Sequence, residues 1–254
     1  MSKIDSLFST RLSNIADFSF DANVAEVFPD MIARSIPGYP LMIENIGRIA
    51  QRYAQPHTSI YDLGCATGTA TLSMAKHIDA HATQIVGLDN SQPMVDKCQQ
   101  YINQYHHICP VQIDCADIQH YPYNTSSVFL MNFTLQFLAP DQRQSMIDKV
   151  YDSLTPGGVL ILSEKFTAED TPISDSQTAL AQSVENDLLI DLHHQFKSDN
   201  GYTDLEISQK RTALENVMLT DSIATHRLRL TQAGFKHIVI WFSCFNFMSL
   251  VAIK

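Results

Sequence analysis

Ile60-Tyr61-Asp62-Leu63-Gly64-Cys65-Ala66-Thr67-Gly68 is the stretch that decides the fold. An apolar strand runs into a glycine turn, and Thr69 to His77 continues as a helix. Glycines at such a junction let the main chain approach a ligand closely, and the start of the following helix offers unpaired N–H groups. A nucleotide-like ligand is implied. The dinucleotide pattern G-x-G-x-x-G would require glycine at positions 66 and 69, where the chain has Ala66 and Thr69, so NAD fits poorly. On this string alone, a plain glycine turn in an α/β protein is the competing reading.

On either side of the turn the chain alternates in type. Short apolar runs recur at Ile60–Leu63, Ile85–Leu88, Val111–Ile113, Val128–Phe133 and Val159–Leu162. Helix-like segments separate them over Thr69–His77, Met94–Tyr105 and Asp141–Leu154. Strands joined by helical crossovers predict a parallel sheet, and right-handed crossovers make it doubly wound. Residues 166–220 are mostly helix-like and read as an inserted helical cap. A helix over Asp221–Ala233, stopped by Gly234, precedes two strands, Ile238–Phe242 and Phe247–Ile253, whose close spacing requires a hairpin and an antiparallel edge. Val24, Val27, Phe28, Met31 and Ile32 lie at helical spacing before Pro37-Gly38.

The expected whole is one α/β structural domain with a doubly wound, mostly parallel seven-stranded sheet and an antiparallel C-terminal edge strand. Residues 1–58 form a helical arm or lid, 59–165 the α/β core and 166–220 the helical cap, and 221–254 complete the core. The Ser/Thr/Asp-rich residues 167–178 are the candidate flexible segment.

Composition narrows the function. The chain has 254 residues, 45% hydrophobic and 17% charged, an ordinary globular make-up. Lys and Arg number 17 against 27 Asp and Glu, a formal charge of -10 that repels a phosphate backbone, so direct nucleic-acid binding is not expected. No export signal or membrane span is read, which predicts a cytoplasmic protein. The 5 cysteines form no C-x-x-C pair and the 10 histidines no trusted ligand spacing, so no metal is expected and the histidines are assigned to surface or packing roles.

Four polar residues carry the chemistry. Asp89 ends the second apolar run, where a carboxylate can accept two hydrogen bonds from a ribose diol; it can equally cap the next helix. Asp117 follows the third run as an adenine-side acid or a plain surface aspartate. Asn132 interrupts an apolar run at the end of the fourth strand and needs a partner, which a ligand at the sheet's switch point would supply. Taking Leu205–Leu219 as a helix, Ile207, Leu214 and Met218 define one face, and Arg211 falls roughly 40° from its centre. Its guanidinium is expected to aim inward at a carboxylate; pairing with Glu206 or Glu215, or snorkelling, competes.

Several strings resemble class I S-adenosylmethionine (SAM) methyltransferases. Asp62, Gly64 and Gly68 match D-x-G-x-G-x-G, with Ala66 in place of its middle glycine. Leu154-Thr155-Pro156-Gly157-Gly158-Val159-Leu160 and Leu230-Thr231-Gln232-Ala233-Gly234-Phe235 resemble the turns before that superfamily's fifth and sixth strands. Beyond the superfamily, the chain resembles the carboxy-S-adenosyl-L-methionine (carboxy-SAM) synthases of wobble-uridine tRNA modification. Phe18-Ser19-Phe20-Asp21, the stretch from Val24 to Met31, Pro37-Gly38-Tyr39 and the stretch from Asn132 to Leu138 carry the resemblance. So do Ser163-Glu164-Lys165-Phe166, Glu206-Ile207-Ser208-Gln209-Lys210-Arg211 and the stretch from Leu214 to Asp221.

The resemblance implies that prephenate loses carbon dioxide to give phenylpyruvate while SAM becomes carboxy-SAM. It implies a homodimer whose product serves a downstream tRNA carboxymethyltransferase. It also places Tyr39, Gly64, Cys65, Ala66, Asp89, Asn90, Asp117, Ile118, Asn132 and Arg211 around SAM, with Arg211 on the added carboxylate. Arg34 and Lys165 are candidates for the second prephenate carboxylate. Residues 171–191 look longer than the family pattern. A conventional methyltransferase of a small acidic substrate and a non-catalytic SAM-binding partner of a tRNA-modifying enzyme are the alternatives.

Overall fold

A computed structural model describes residues 3–79, 83–167 and 176–254. The glycine turn leaves β1 (Ser59–Leu63), an inner strand of the sheet. On one side lie β2 (Gln84–Asp89) and β3 (Val111–Cys115), and on the other β4 (Ser126–Asn132) and β5 (Leu154–Thr167), all parallel. Numbering onward in chain order, β6 is Asp221–Ser222, β7 His237–Cys244 and β8 Phe247–Ile253. The sheet runs β3-β2-β1-β4-β5-β8-β7, with β6 off this path. The expected hairpin closes one end of the sheet. Its second strand, β8, is antiparallel to both neighbours and lies next to β5, which puts β7 outermost.

Every residue of β1 is buried because helices cover both faces of the sheet. On one face, α2 (Tyr39–Tyr53) and α3 (Thr69–His77) press Met42, Ile46, Ala50 and Met74 against Ile60, Ile85, Leu130 and Ile161. On the other, α5 (Arg143–Ser153) and α8 (Ile223–Ala233) press Met146, Ile147, Val150 and Leu230 against Leu63, Phe129, Leu160 and Leu250. The crossover α4 (Gln92–Ile102) is capped by Ser91, whose hydroxyl accepts from Met94 N. Ahead of α2, α1 (Ala22–Ser35) is capped by Asp21 and buries Val24, Val27 and Met31.

Two helices follow β5. Helix α6 covers Ser176–Asp199, and α7 covers Asp204–Leu214, opened by a capping box of Thr203 and Glu206. The helix expected over Leu205–Leu219 is therefore shorter. Leu219 N donates to Gln136 O at 3.0 Å, which draws the chain off the helix and back to the main body. Of the candidate flexible segment 167–178, residues 168–175 lie outside the described residues. Part of the stretch 171–191 does too. The start of the helical stretch read over residues 166–220 needs correction: β5 continues to Thr167, and Phe166 and Thr167 pair with β6. Among the described residues, no helix is long and apolar enough to cross a membrane.

Candidate functional site

A cavity of about 670 Å³ opens at the carboxyl ends of β1, β2 and β4, where the strand order reverses. The glycine turn forms one wall. Gly64 has φ 76°, and a Cβ there would lie 2.5 Å from Thr134 Oγ1, so position 64 admits only glycine without a shift of its neighbours. Gly68, at φ 85°, starts α3 behind the turn and does not line the cavity. Ala66 adopts φ 46° although it has a Cβ, a conformation that costs about 1 kcal/mol. Its N–H donates to Asp89 Oδ2 at 2.9 Å, which offsets that cost.

Two further carboxyl groups bracket the turn. Asp62 is buried beneath it and accepts from the Thr71 hydroxyl, and burial raises its carboxyl to about 7. Asp89 is anchored by Ala66 N on one oxygen and by Ser91 N at 2.9 Å on the other, with its pKa raised by burial. At the far end Asp117 is exposed. Burial pulls its carboxyl up, but the Gln119 N–H and the His120 ring together hold it below the ordinary range.

Asn90, Cys65 and Ile118 line the same wall, and Tyr39 reaches it from the start of α2. Asn132 ends β4, and its buried Oδ1 has no hydrogen-bond partner among the described residues. A buried acceptor in that state calls for a donor, from water or from a ligand. All the residues expected around the ligand except Gly68 therefore meet at one cavity.

The opposite wall is basic. Lys165 comes from β5, His193, His194 and Lys197 from α6, and Lys210 and Arg211 from α7. Lys197 is only 9% exposed. Burial first, then the charges of Lys165, Lys210 and Arg211, lower its pKa to about 7. Lys210 is lowered to about 8, chiefly by burial. Burial and the neighbouring lysines push His193 down to about 3, and its Nε2 sits 2.9 Å from Ser35 O. That contact makes Nε2 the protonated nitrogen of a neutral ring. Among the described residues, the carboxylate paired with this wall is Asp5, 3.9 Å from Lys210 Nζ.

Two expectations are corrected here. Arg211 lines the cavity but is exposed to solvent rather than partly buried. The buried side of α7 carries Glu206, Ile207, Gln209 and Ala213, because Gln209 binds the N-terminal segment through Phe8 O and Thr10 O, each at 2.9 Å. Met218 falls outside the helix, so the face that defined the inward direction does not exist. Arg34 is also committed elsewhere. It bonds Asp30 at 3.1 Å and Asn200 O at 2.8 Å, and its guanidinium lies 3.9 Å over the Tyr202 ring.

Lys197, Lys210 and the two histidines escaped the sequence reading. The signal available was the spacing of His193 and Lys197, one helical turn apart and hence on one face.

Residues 60–158 match the methyltransferase-domain family. The carboxy-S-adenosyl-L-methionine synthase of Pasteurella multocida is 52% identical over 250 residues, covering 98% of this chain and 99% of that protein. The enzyme of that name from Aliivibrio salmonicida is 53% identical over 254 residues, with both chains covered in full. The chain belongs to the carboxy-S-adenosyl-L-methionine synthase family. Solved structures place this synthase-family chain in the class I SAM methyltransferase fold. Magnesium protoporphyrin IX methyltransferase from Synechocystis with bound SAM matches at TM-score 0.55 and 15% identity, over 85% of this chain and 80% of that one. An O-methyltransferase family 2 protein from Planctomyces limnophilus, in complex with apigenin, matches at TM-score 0.61 and 13% identity, over 93% and 62%. At such identities the likeness speaks for the fold alone. Among the described residues, no group of three or more His, Cys, Asp and Glu is arranged to hold a metal ion.

Proposed function

We propose that this synthase-family protein converts SAM and prephenate into carboxy-SAM and phenylpyruvate. The observation that carries the reading is the polarity of the cavity, acidic along the glycine turn and basic opposite it. SAM fits the acidic wall. Asp89, held by two backbone N–H groups, keeps lone pairs for the ribose diol, and Asp117 and Ile118 flank the adenine. Asn132 Oδ1 accepts from the ligand's ammonium group, and Asp62 and Gly68 shape the turn from behind. Tyr39, Gly64, Cys65, Ala66 and Asn90 close around the nucleoside and the sulfonium. SAM is a substrate here, because its methyl carbon is the atom that changes.

The basic wall asks for more negative charge than SAM brings. SAM carries one carboxylate, whereas Lys165, Lys197 and Arg211 each face the cavity. Prephenate supplies two carboxylates, one of which leaves as carbon dioxide. Protons on a carbon beside a sulfonium are acidified by the adjacent charge, so the methyl carbon can become a carbanion that captures carbon dioxide and forms the new carbon–carbon bond. Arg211 then holds the new carboxylate. Water would quench that carbanion, so the site has to close during turnover. Residues 1–58 act as the lid and residues 166–220 as the cap, with α2 anchoring the lid to the core.

On this reading the protein works as a homodimer in the cytoplasm and hands carboxy-SAM to a tRNA carboxymethyltransferase that modifies the wobble uridine. It need not touch RNA, in keeping with its net charge of -10.

Mass spectrometry of the small molecules after incubation with SAM and prephenate tests the assignment. The expected product is heavier than SAM by the mass of carbon dioxide, with phenylpyruvate formed in equal amount. S-adenosylhomocysteine accumulating instead would mark a conventional methyltransferase, and prephenate left untouched would mark a silent binding partner.

A further inference from the structure

We propose that Lys197 relays the proton between the two halves of the reaction, as the acid that releases the hydroxyl group of prephenate and then as the base that takes a proton from the SAM methyl group. The inference rests on the synthase reading above. That reaction needs both steps. Loss of carbon dioxide from prephenate breaks the carboxyl carbon–carbon bond and makes the ring aromatic, and the electron pair that leaves with the ring oxygen needs a proton. Formation of carboxy-SAM needs a proton removed from the methyl carbon. A single group that gives the first and takes the second closes the cycle with water as the only other product and no outside base.

Several titratable groups of the cavity are committed elsewhere. Asp62 is hydrogen-bonded to Thr71 beneath the turn, and both oxygens of Asp89 are engaged by backbone N–H groups. The His193 ring gives its proton-bearing nitrogen to Ser35 O and is too weak a base to take a proton at neutral pH. Arg211 stays protonated throughout. Lys210 is engaged with Ser35 Oγ at 3.2 Å and with Asp5. Lys197 is buried and lines the cavity, with no side-chain hydrogen bond or ion pair among the described residues.

Its surroundings suit both roles. Lys165 faces it from β5, and Lys210 and Arg211 from α7. His193 and His194 flank it on α6; His194 also feels Asp191, and Lys210 feels Asp5, Asp30 and Arg34. In the ligand-free cavity burial, and then this surplus of positive charge, make the ammonium form hard to keep, and the amine titrates at about 7. A dianion arriving beside it restores the ammonium. When that dianion breaks up into carbon dioxide and a monoanion, the ammonium is again disfavoured, and the proton goes to the departing oxygen. The neutral amine left behind is then the base for the methyl group.

The test uses the purified full-length protein with SAM and prephenate, and Lys197→Arg, which keeps the charge and cannot release a proton at any working pH. The expected result is a fall in kcat of about 10²–10⁴-fold with KM for prephenate changed little. In the wild type, kcat should titrate at neutral to alkaline pH. Binding of S-adenosylhomocysteine should be unchanged in the variant, which shows that the fold and nucleoside site survive. A variant with kcat within about threefold of wild type overturns the relay, since general acid–base catalysis contributes more than that. So does a wild-type kcat that is flat across this range, a measurement that needs no variant. Failure of the wild type to form any carboxy-SAM would instead sink the synthase reading itself, before Lys197 is reached.

Discussion

Arg211 shows what a single residue reveals in the sequence and what it conceals. Its presence at the ligand cavity is legible from the motif around it, but its direction is not, because the helix that carries it ends at Leu214, before the apolar spacing that runs on to Met218. A helical wheel assumes that the apolar residues face the core, whereas α7 turns Gln209 inward to bind the chain near Phe8 and Thr10. That pairing joins residues far apart in the chain, so no local window contains it. Asp89 and Gly64 were readable for the opposite reason, since Gly64 and Ala66 belong to the glycine motif itself and Ser91 stands two residues after Asp89. On the proposed assignment, Arg211→Ala weakens carboxy-SAM by about tenfold or more, the loss of one charge-assisted hydrogen-bonded contact. S-adenosylhomocysteine, which lacks the added carboxylate, should bind the variant as tightly as the wild type. Isothermal titration of both ligands decides it, and equal weakening of the two would remove Arg211 from the carboxylate.

Elements were easier to read than their ends. The span of α3 is as expected, because the glycine turn starts it and loss of apolar spacing stops it. Strand β6 was not legible: two residues carry no periodicity, and it exists because Asp221 is pulled into place. Asp221 Oδ2 lies 2.7 Å from Arg143 Nη1 on α5 and 2.9 Å from Arg229 Nη2 on α8. Despite its burial, these two cations hold the Asp221 carboxyl below the ordinary range. Arg143 also donates to Leu219 O at 2.8 Å, so one buried knot ties α5, α8 and the strand that follows α7. Removing the carboxylate leaves two guanidinium groups in a buried place, which costs about 3 kcal/mol. Asp221→Asn should therefore melt about 6–12 °C below the wild type, with the return of the chain from α7 to β6 loosened first. A calorimetric scan reads the shift, and a melting point unchanged from the wild type would mean that the knot contributes nothing net.

At the scale of the whole molecule, charge is arranged against its own average. The chain is -10 overall, yet it buries or half-buries Lys165, Lys197 and Lys210 around one cavity. Composition reveals the first fact and hides the second, since the lysines come from β5, α6 and α7 and meet only after folding. An anionic substrate must cross a repelling surface to reach an attracting interior, so screening by salt should speed its approach and weaken its hold.

The same arrangement fixes a proton balance. Lys197 and Lys210 have pKa values lowered to about 7 and about 8, so near pH 8 both are partly neutral in the ligand-free protein. A bound dianion favours their charged forms and raises both values, and raised values mean protons taken up. By linkage, affinity for the dianion must then fall as pH rises through this range. Titrating prephenate into protein loaded with S-adenosylhomocysteine, which cannot turn over, isolates the step. Calorimetry at pH 8 in buffers of different ionisation enthalpy should show uptake of about one proton per site, falling away below about pH 6 where both lysines are already charged. Proton release, or an uptake of zero at pH 8, would show that the dianion binds away from these lysines.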